Sequence, residues 1–184
     1  MSKYIALLRG INVGGNNTVA MSDLRACFMG LGFTDVATYI NSGNVLFSSD
    51  QADVVKLVEQ CEAAIENQFG FSVIVMVLSA KDLKDALDHA PDWWTGDPKV
   101  MRNEALFVIP PTIAEEVLAE IKKKSPTVDK FATHGQVIFW NLPKENYNKS
   151  VVSKIIGTPI YRRVTIRGAN TVRKLLELSA NSAY

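Results

Sequence analysis

Three sets of side chains have the types and spacing to do chemistry. The first is rich in amides. Arg9, Asn12, Gly14 and Gly15 follow one apolar run, and Asn41-Ser42-Gly43-Asn44 joins two others. An arginine flanked by two asparagine-bearing turns is a candidate ligand or partner site, because loops on a rigid sheet are where binding chemistry gathers. The set offers no obvious general base, and no base can be assigned to Ser42, so a serine nucleophile is not expected. Asn and Gly also tolerate left-handed turns. That plainer account covers Asn12 and the glycines but not Arg9, which directly follows the apolar run.

The second set is basic. Residues 122–174 hold 12 Lys and Arg against 2 Asp and Glu, although the whole chain carries only +1. Within that stretch Lys149, Ser150, Arg162, Arg163, Arg167, Asn170 and Thr171 are candidates for holding an anion or a nucleic-acid backbone. If Asn170 or Thr171 caps the terminal helix, the amides there help to hold a phosphate. The plainer account is that Lys122, Lys123 and Lys124 end a helix, where cations suit the dipole, and that the others wet a surface.

The third set is small: Cys27, Cys61, His89 and His134. The cysteines lie on apolar helical stripes, which suits buried thiols in a reducing compartment better than a bridge or a nucleophile. Neither histidine has a sequence-near partner that would make it a base. Two cysteines and two histidines so dispersed argue against zinc, and no metal is expected. Gly10-Ile11-Asn12-Val13-Gly14-Gly15 is loosely like a dinucleotide loop. Asn12 stands at the middle glycine, Asn41 stands where an acid is needed, and a hairpin interrupts the βαβ unit. No Gly-Lys-Ser/Thr is present, so no cofactor is expected.

The elements that must position these sets follow from periodicity. Tyr4 to Leu8 is a short apolar run between Lys3 and Arg9-Gly10, a buried strand. Leu24, Cys27, Phe28 and Leu31 recur at helical spacing before Gly32. Val36 to Ile40 and Val45 to Ser48 flank the Asn41–Asn44 turn as a hairpin. Val54, Leu57, Val58, Cys61, Ile65 and Phe69 mark a second helix, stopped by Gly70, and Val73 to Leu78 a further strand. Leu83, Ala86 and Leu87 suggest a short helix ended by Pro91.

The same order recurs downstream. Leu106 to Ile109 is a strand, and Thr112-Ile113-Ala114-Glu115 matches a capping box for a helix through Val117, Leu118 and Ile121, closed near Pro126. Val128 to Thr133 and Val137 to Trp140 form a hairpin around His134-Gly135. Asn146 to Ile156 reads as a helix, Val164 to Arg167 as the last strand, and about Thr171 to Ser179 as a terminal helix. The expectation is an α+β fold of two ferredoxin-like βαββαβ subdomains with an additional C-terminal helix. Residues 1–91 make the first, 92–103 a linker holding Trp93 and Trp94, and 104–184 the second. In this motif the loop after the first strand, the turn between the second and third, and the turn before the fourth share one end. Arg9, Asn12, Asn41, Ser42 and Asn44 should therefore cluster.

Composition agrees with a packed protein. The chain has 184 residues, 47% hydrophobic and 21% charged, which excludes wholesale disorder. No apolar run nears the roughly 20 residues of a membrane span, and too few apolar residues precede Arg9 for a signal peptide. A cytoplasmic protein without membrane partners is expected.

The runs Tyr4-Ile5-Ala6-Leu7-Leu8-Arg9-Gly10-Ile11-Asn12-Val13-Gly14-Gly15 and Tyr39-Ile40-Asn41-Ser42-Gly43-Asn44-Val45-Leu46-Phe47, with Met21, Leu24 and Arg25, are distinctive. Through them the chain resembles the bacterial family called domain of unknown function 1697. The resemblance implies an α+β fold with ferredoxin-like subdomains and no established reaction. The motif residues it carries over are Arg9, Gly10, Asn12, Gly14, Gly15, Asn41, Ser42, Gly43 and Asn44. Towards the C-terminus, Thr165, Arg167, Asn170 and Thr171 match the family pattern, while Gly168 and Ala169 replace its Asn-Trp.

The functional expectation is non-catalytic binding of an anionic ligand, either nucleic acid or a phosphorylated small molecule. Phe107, Phe139 and Trp140 are stacking candidates if exposed. The alternatives are an enzyme with a polar site at Arg9, Asn12 and Asn41–Asn44, and a homo-oligomeric assembly protein, with a homodimer as the candidate assembly.

Overall fold

The computed structural model describes residues 1–123 and 128–180. The chain divides into two compact units, Met1–Lys84 with Lys174–Tyr184, and Asp85–Arg173. Each contains a four-stranded antiparallel sheet with helices, so the fold is α+β.

In the first unit the order is β1 (Ser2–Leu8), α1 (Met21–Gly30), β2 (Thr34–Tyr39), β3 (Asn44–Ser49), α2 (Val54–Phe69) and β4 (Val75–Ser79), followed by α3 (Ala80–Asp88), on which the division between the units falls. The sheet order is β2-β3-β1-β4. The apolar run at Tyr4–Leu8 is central because it can be wet on neither side: all five residues are buried. Tyr4, Ala6 and Leu8 join Val45, Phe47, Val75 and Val77 in one core with Leu24, Cys27 and Phe28 of α1 and Leu57, Cys61 and Ile65 of α2. Phe47 anchors it, with ring centroids 4.5 Å from Phe33 and 5.6 Å from both Tyr4 and Phe28. Helix α2 begins where the Asp53 carboxylate accepts the Val55 and Lys56 amides, and ends at Gly70, whose φ of 78° reverses the chain at little steric cost.

The second unit runs through a 3-10 turn (Asp92–Thr95), β5 (Met101–Val108), α4 (Ala114–Lys122), β6 (Lys130–His134), β7 (Val137–Pro143), a second 3-10 turn (Lys144–Lys149), α5 (Val151–Ile155), α6 (Pro159–Arg162), β8 (Val164–Gly168) and the start of α7 (Ala169–Ala180). Its sheet order is β6-β7-β5-β8, the first unit's order shifted by four strands. Leu106, Val108, Ile138, Trp140 and Leu142 pack under Val117, Leu118 and Ile121 of α4 and Val151, Val152 and Ile155 of α5.

Three local expectations change. No capping box forms, because α4 starts at Ala114 behind Ile113, which makes no side-chain cap. The Thr112 carbonyl instead accepts from Gln136 Nε2 at 3.0 Å. The helix expected over 146–156 is two pieces split at Ser150. There Asp129 takes the Ser150 hydroxyl at 2.6 Å and the Val151 amide at 2.9 Å. Ser150 is thereby fixed in an extended conformation (φ −63°, ψ 138°) as the cap of α5. Helix α7 starts at Ala169, so Asn170 and Thr171 lie inside its first turn rather than at its cap. Lys124 and Pro126, placed at the end of α4 from the sequence, fall outside the described residues. No helix among the described residues is long and apolar enough to cross a membrane.

Candidate functional site

The loop after β1 and the β2–β3 turn do meet. Leu8 N donates to Gly43 O at 2.8 Å, and Arg9 N donates to Ile74 O at 3.0 Å, just before β4. Asn12 forms the knot. Its Nδ2 donates to Asn41 O and Val19 O, both at 3.0 Å, and its Oδ1 accepts the Val19 amide at 2.8 Å. Its φ of 54° lies in the left-handed region that Asn tolerates. Val19, buried two residues ahead of α1, is thus held in place for the helix to begin. Asn44 is fully buried, and its Nδ2 donates to Tyr39 O at 3.0 Å and Ser42 Oγ at 2.9 Å. Gly43 is required, because a Cβ there would sit 2.7 Å from Leu8 Cβ and 2.9 Å from Ile11 Cδ1, at a φ of 73°. Arg9 is half-buried and has partners within the protein, as do Ser42 and Asn44. Gly14 and Gly15 are exposed. A shallow groove beside the knot is lined by Asn12, Gly15, Thr18, Val19, Ala20, Met21 and Asn41. The cluster therefore exists, and its amides are largely consumed in holding loops to each other.

The basic set divides. Ser150 is buried as a helix cap. Arg163 forms a two-pronged pair with Glu120, one contact at 3.0 Å, and that hydrogen bond raises its pKa further. Arg167 is buried, donates to Thr165 Oγ1 and Ile166 O at 2.9 Å, and has its pKa lowered to about 10 by desolvation. Lys149 and Arg162 are exposed. Asn170 and Thr171 line a cleft of about 500 Å³ that sequence reasoning missed.

That cleft is built from β5, the 3-10 turn after β7 and the first turn of α7. Arg102, Asn103, Glu104, Lys144, Tyr147 and Arg173 supply its functional groups. Arg102 lies 4.3 Å from the Tyr147 ring centroid, and its Nε donates to Glu104 Oε1 at 2.7 Å. Arg173 lies 4.9 Å over the Trp94 ring, and its Nη2 donates to Trp94 O at 3.0 Å. Both guanidiniums thus lie over aromatic rings in cation–π contact. Trp94 is itself fully buried, with Nε1 donating to Glu104 O at 2.9 Å and its ring meeting Phe139 edge-on at 5.0 Å. Three cations face one carboxylate, and that carboxylate is already paired, so the lining favours an anion. The lining comes from residues 96 to 173; the sequence points to Asn170 and Thr171 and to the basic stretch that holds Lys144 and Arg173, but not to Arg102.

Phe107, Phe139 and Trp140 are each about 1% exposed and offer no stacking surface. Cys27 and Cys61 are free and buried. Burial raises the Cys27 thiol pKa and, with the charges of Cys27 and Glu62, pushes Cys61 up to about 12. Neither is a ready nucleophile. The histidines correct the expectation of isolation. His89 and His134 stack in parallel at 4.0 Å, and Asp85 touches both. The Asp85–His89 spacing of one helical turn was a signal available in the sequence.

A family model described as "Protein of unknown function (DUF1697)" matches residues 1–139. Among solved structures, the conserved bacterial protein SP0830 from Streptococcus pneumoniae is similar, with 33% identity and a TM-score of 0.84. The similarity covers 97% of this chain and 98% of that one. No curated protein matches the chain.

Proposed function

We propose that this chain, which belongs to the DUF1697 family of proteins of unknown function, binds a small phosphorylated or otherwise polyanionic molecule in the cleft of its second unit without catalysing a reaction on it. The observation that carries this reading is the convergence of Arg102, Lys144 and Arg173 with the first turn of α7 around one cleft of about 500 Å³. That volume suits a small molecule. Guanidiniums held over aromatic rings give planar donors for phosphate oxygens, and a helix start adds amides and a favourable dipole. A small ligand is favoured over single-stranded nucleic acid because Phe107, Phe139 and Trp140 of the second sheet are buried. The finer description of each unit as ferredoxin-like belongs to the same reading, supported by the element order βαββαβ and the sheet order β2-β3-β1-β4.

An enzymatic site at the Arg9–Asn12–Asn44 knot has less support, since its amides already serve the backbone. The test is calorimetric titration at low ionic strength with inorganic phosphate, pyrophosphate, a nucleoside triphosphate and an RNA oligonucleotide. Saturable binding of the small polyanions, weakened by Arg102→Gln and by Arg173→Gln, is expected. Binding of RNA alone, or binding indifferent to both substitutions, contradicts the proposal.

A further inference from the structure

Helix α3 and the β6–β7 hairpin bring together a donor set that the cleft does not use. Asp85 and His89 stand one helical turn apart, on one face of the α3 end. The turn continues past the helix, with His89 N donating to Ala86 O at 3.3 Å. His134 is the last residue of β6, at the mouth of the hairpin, where it pairs in register with Val137. Its Nε2 lies 2.7 Å from Asp85 Oδ2. His89 Nδ1 lies 2.9 Å from the Asp85 backbone carbonyl and 3.7 Å from Asp85 Oδ1. The imidazole rings are 5° from parallel with centroids 4.0 Å apart. One ligand atom from each of the three residues lies within 4.8 Å of the other two, and among the described residues no other group of three His, Cys, Asp or Glu does this.

We propose that Asp85, His89 and His134 form a binding site for one divalent transition-metal ion of the zinc type. Two imidazoles and a carboxylate are the donors such borderline ions prefer, and three protein ligands leave room for water or an incoming ligand. An ion lies in the plane of each imidazole it binds, so the stacked rings of His89 and His134 turn apart on their exposed side chains to share one. The side chains are 32% to 60% exposed, so an ion reaches them from solvent without opening the core. Asp85 and His134 are 49 residues apart in sequence, so a bound ion ties the end of α3 to the hairpin and links its occupancy to stability.

The probe is Zn²⁺ alone, titrated calorimetrically into tag-free protein stripped with a chelator, with Co²⁺ absorbance as a second readout. One equivalent is expected to bind, with a Co²⁺ spectrum free of thiolate charge-transfer bands. His89→Ala and His134→Ala should each weaken binding at least about tenfold. Zn²⁺ should raise the urea midpoint of the parent chain but not of the variants. Because these side chains are exposed, circular dichroism of the variants should match the parent. If either alanine variant fails to fold, Asp85→Asn and His89→Gln give the same comparison. Absence of saturable Zn²⁺ binding, binding that survives the histidine substitutions, or a thiolate signature overturns the proposal.

Discussion

Replacing Asn12 should show how much of the amide cluster is structural. Its side chain makes three hydrogen bonds, two donated to the carbonyls of Val19 and Asn41 and one accepted from the Val19 amide. At the lower end of the range for partly exposed neutral bonds, their loss costs about 2 kcal/mol. Its φ of 54° adds about 1 kcal/mol for an alanine, which lacks the local bonding that lets Asn sit there. Asn12→Ala should therefore destabilise by about 3 kcal/mol. Asn12→Asp keeps the shape and the contact to Val19 N, but turns an acceptor towards two carbonyl oxygens 3.0 Å away. It should cost about 2 kcal/mol or more. Asn12→Gly relieves the backbone but restores no bond, and should cost about 2 kcal/mol, less than alanine. Urea unfolding of the three variants measures the differences. Hydrogen exchange should show faster opening at Val19 and in the Asn41 turn than elsewhere. If Asn12→Asp and Asn12→Ala both lie within about 0.5 kcal/mol of the parent, the knot is not structural and Asn12 returns as a ligand-binding candidate.

Other substitutions test other joints. Gly43→Ala forces a Cβ to within 2.7 Å of Leu8 Cβ at a left-handed φ. A loss of about 3 kcal/mol or outright misfolding is expected by thermal denaturation. Asp129→Ala removes bonds to Trp140 Nε1, Ser150 Oγ and Val151 N. It should cost about 3 kcal/mol and expose the start of α5 to exchange. Cys61 supplies a pH test. Its folded pKa of about 12 lies above its ordinary value of 9.0, so between those values the unfolded chain loses the proton first and stability falls as pH rises. The contribution is intact below pH 9 and approaches a slope of about 1.4 kcal/mol per pH unit inside the window. Cys61→Ala should flatten urea stability against pH between 9 and 11, whatever its constant offset from the cavity, and identical slopes would refute the assignment.

Local signals read well from sequence because local physics decides them. A five-residue apolar run has to be a buried strand, Gly70 has to end a helix, and the directions of antiparallel strands bring Asn12 to Asn41 across 29 residues. What could not be read depends on long-range partners. The carboxylate of Asp129 splits a helix that periodicity made continuous, because it reaches Ser150 from 21 residues away. The cleft joins Arg102, Tyr147 and Arg173 from three elements whose spacing carries no period. Basic composition overstated the surface, since Arg163 is paired and Arg167 buried. The opposite error befell the histidines, whose distance in sequence concealed a ring stack.

Anion preference in the second-unit cleft is what the proposed function requires first. The direct measurement is a crystal structure of the chain grown with pyrophosphate. It should show the anion held by Arg102 and Arg173 beside the first turn of α7, with Trp94 unmoved beneath Arg173. Pyrophosphate lodged instead at Arg9 and the Asn41–Asn44 turn, or a cleft left without it at saturating concentration, would contradict the account.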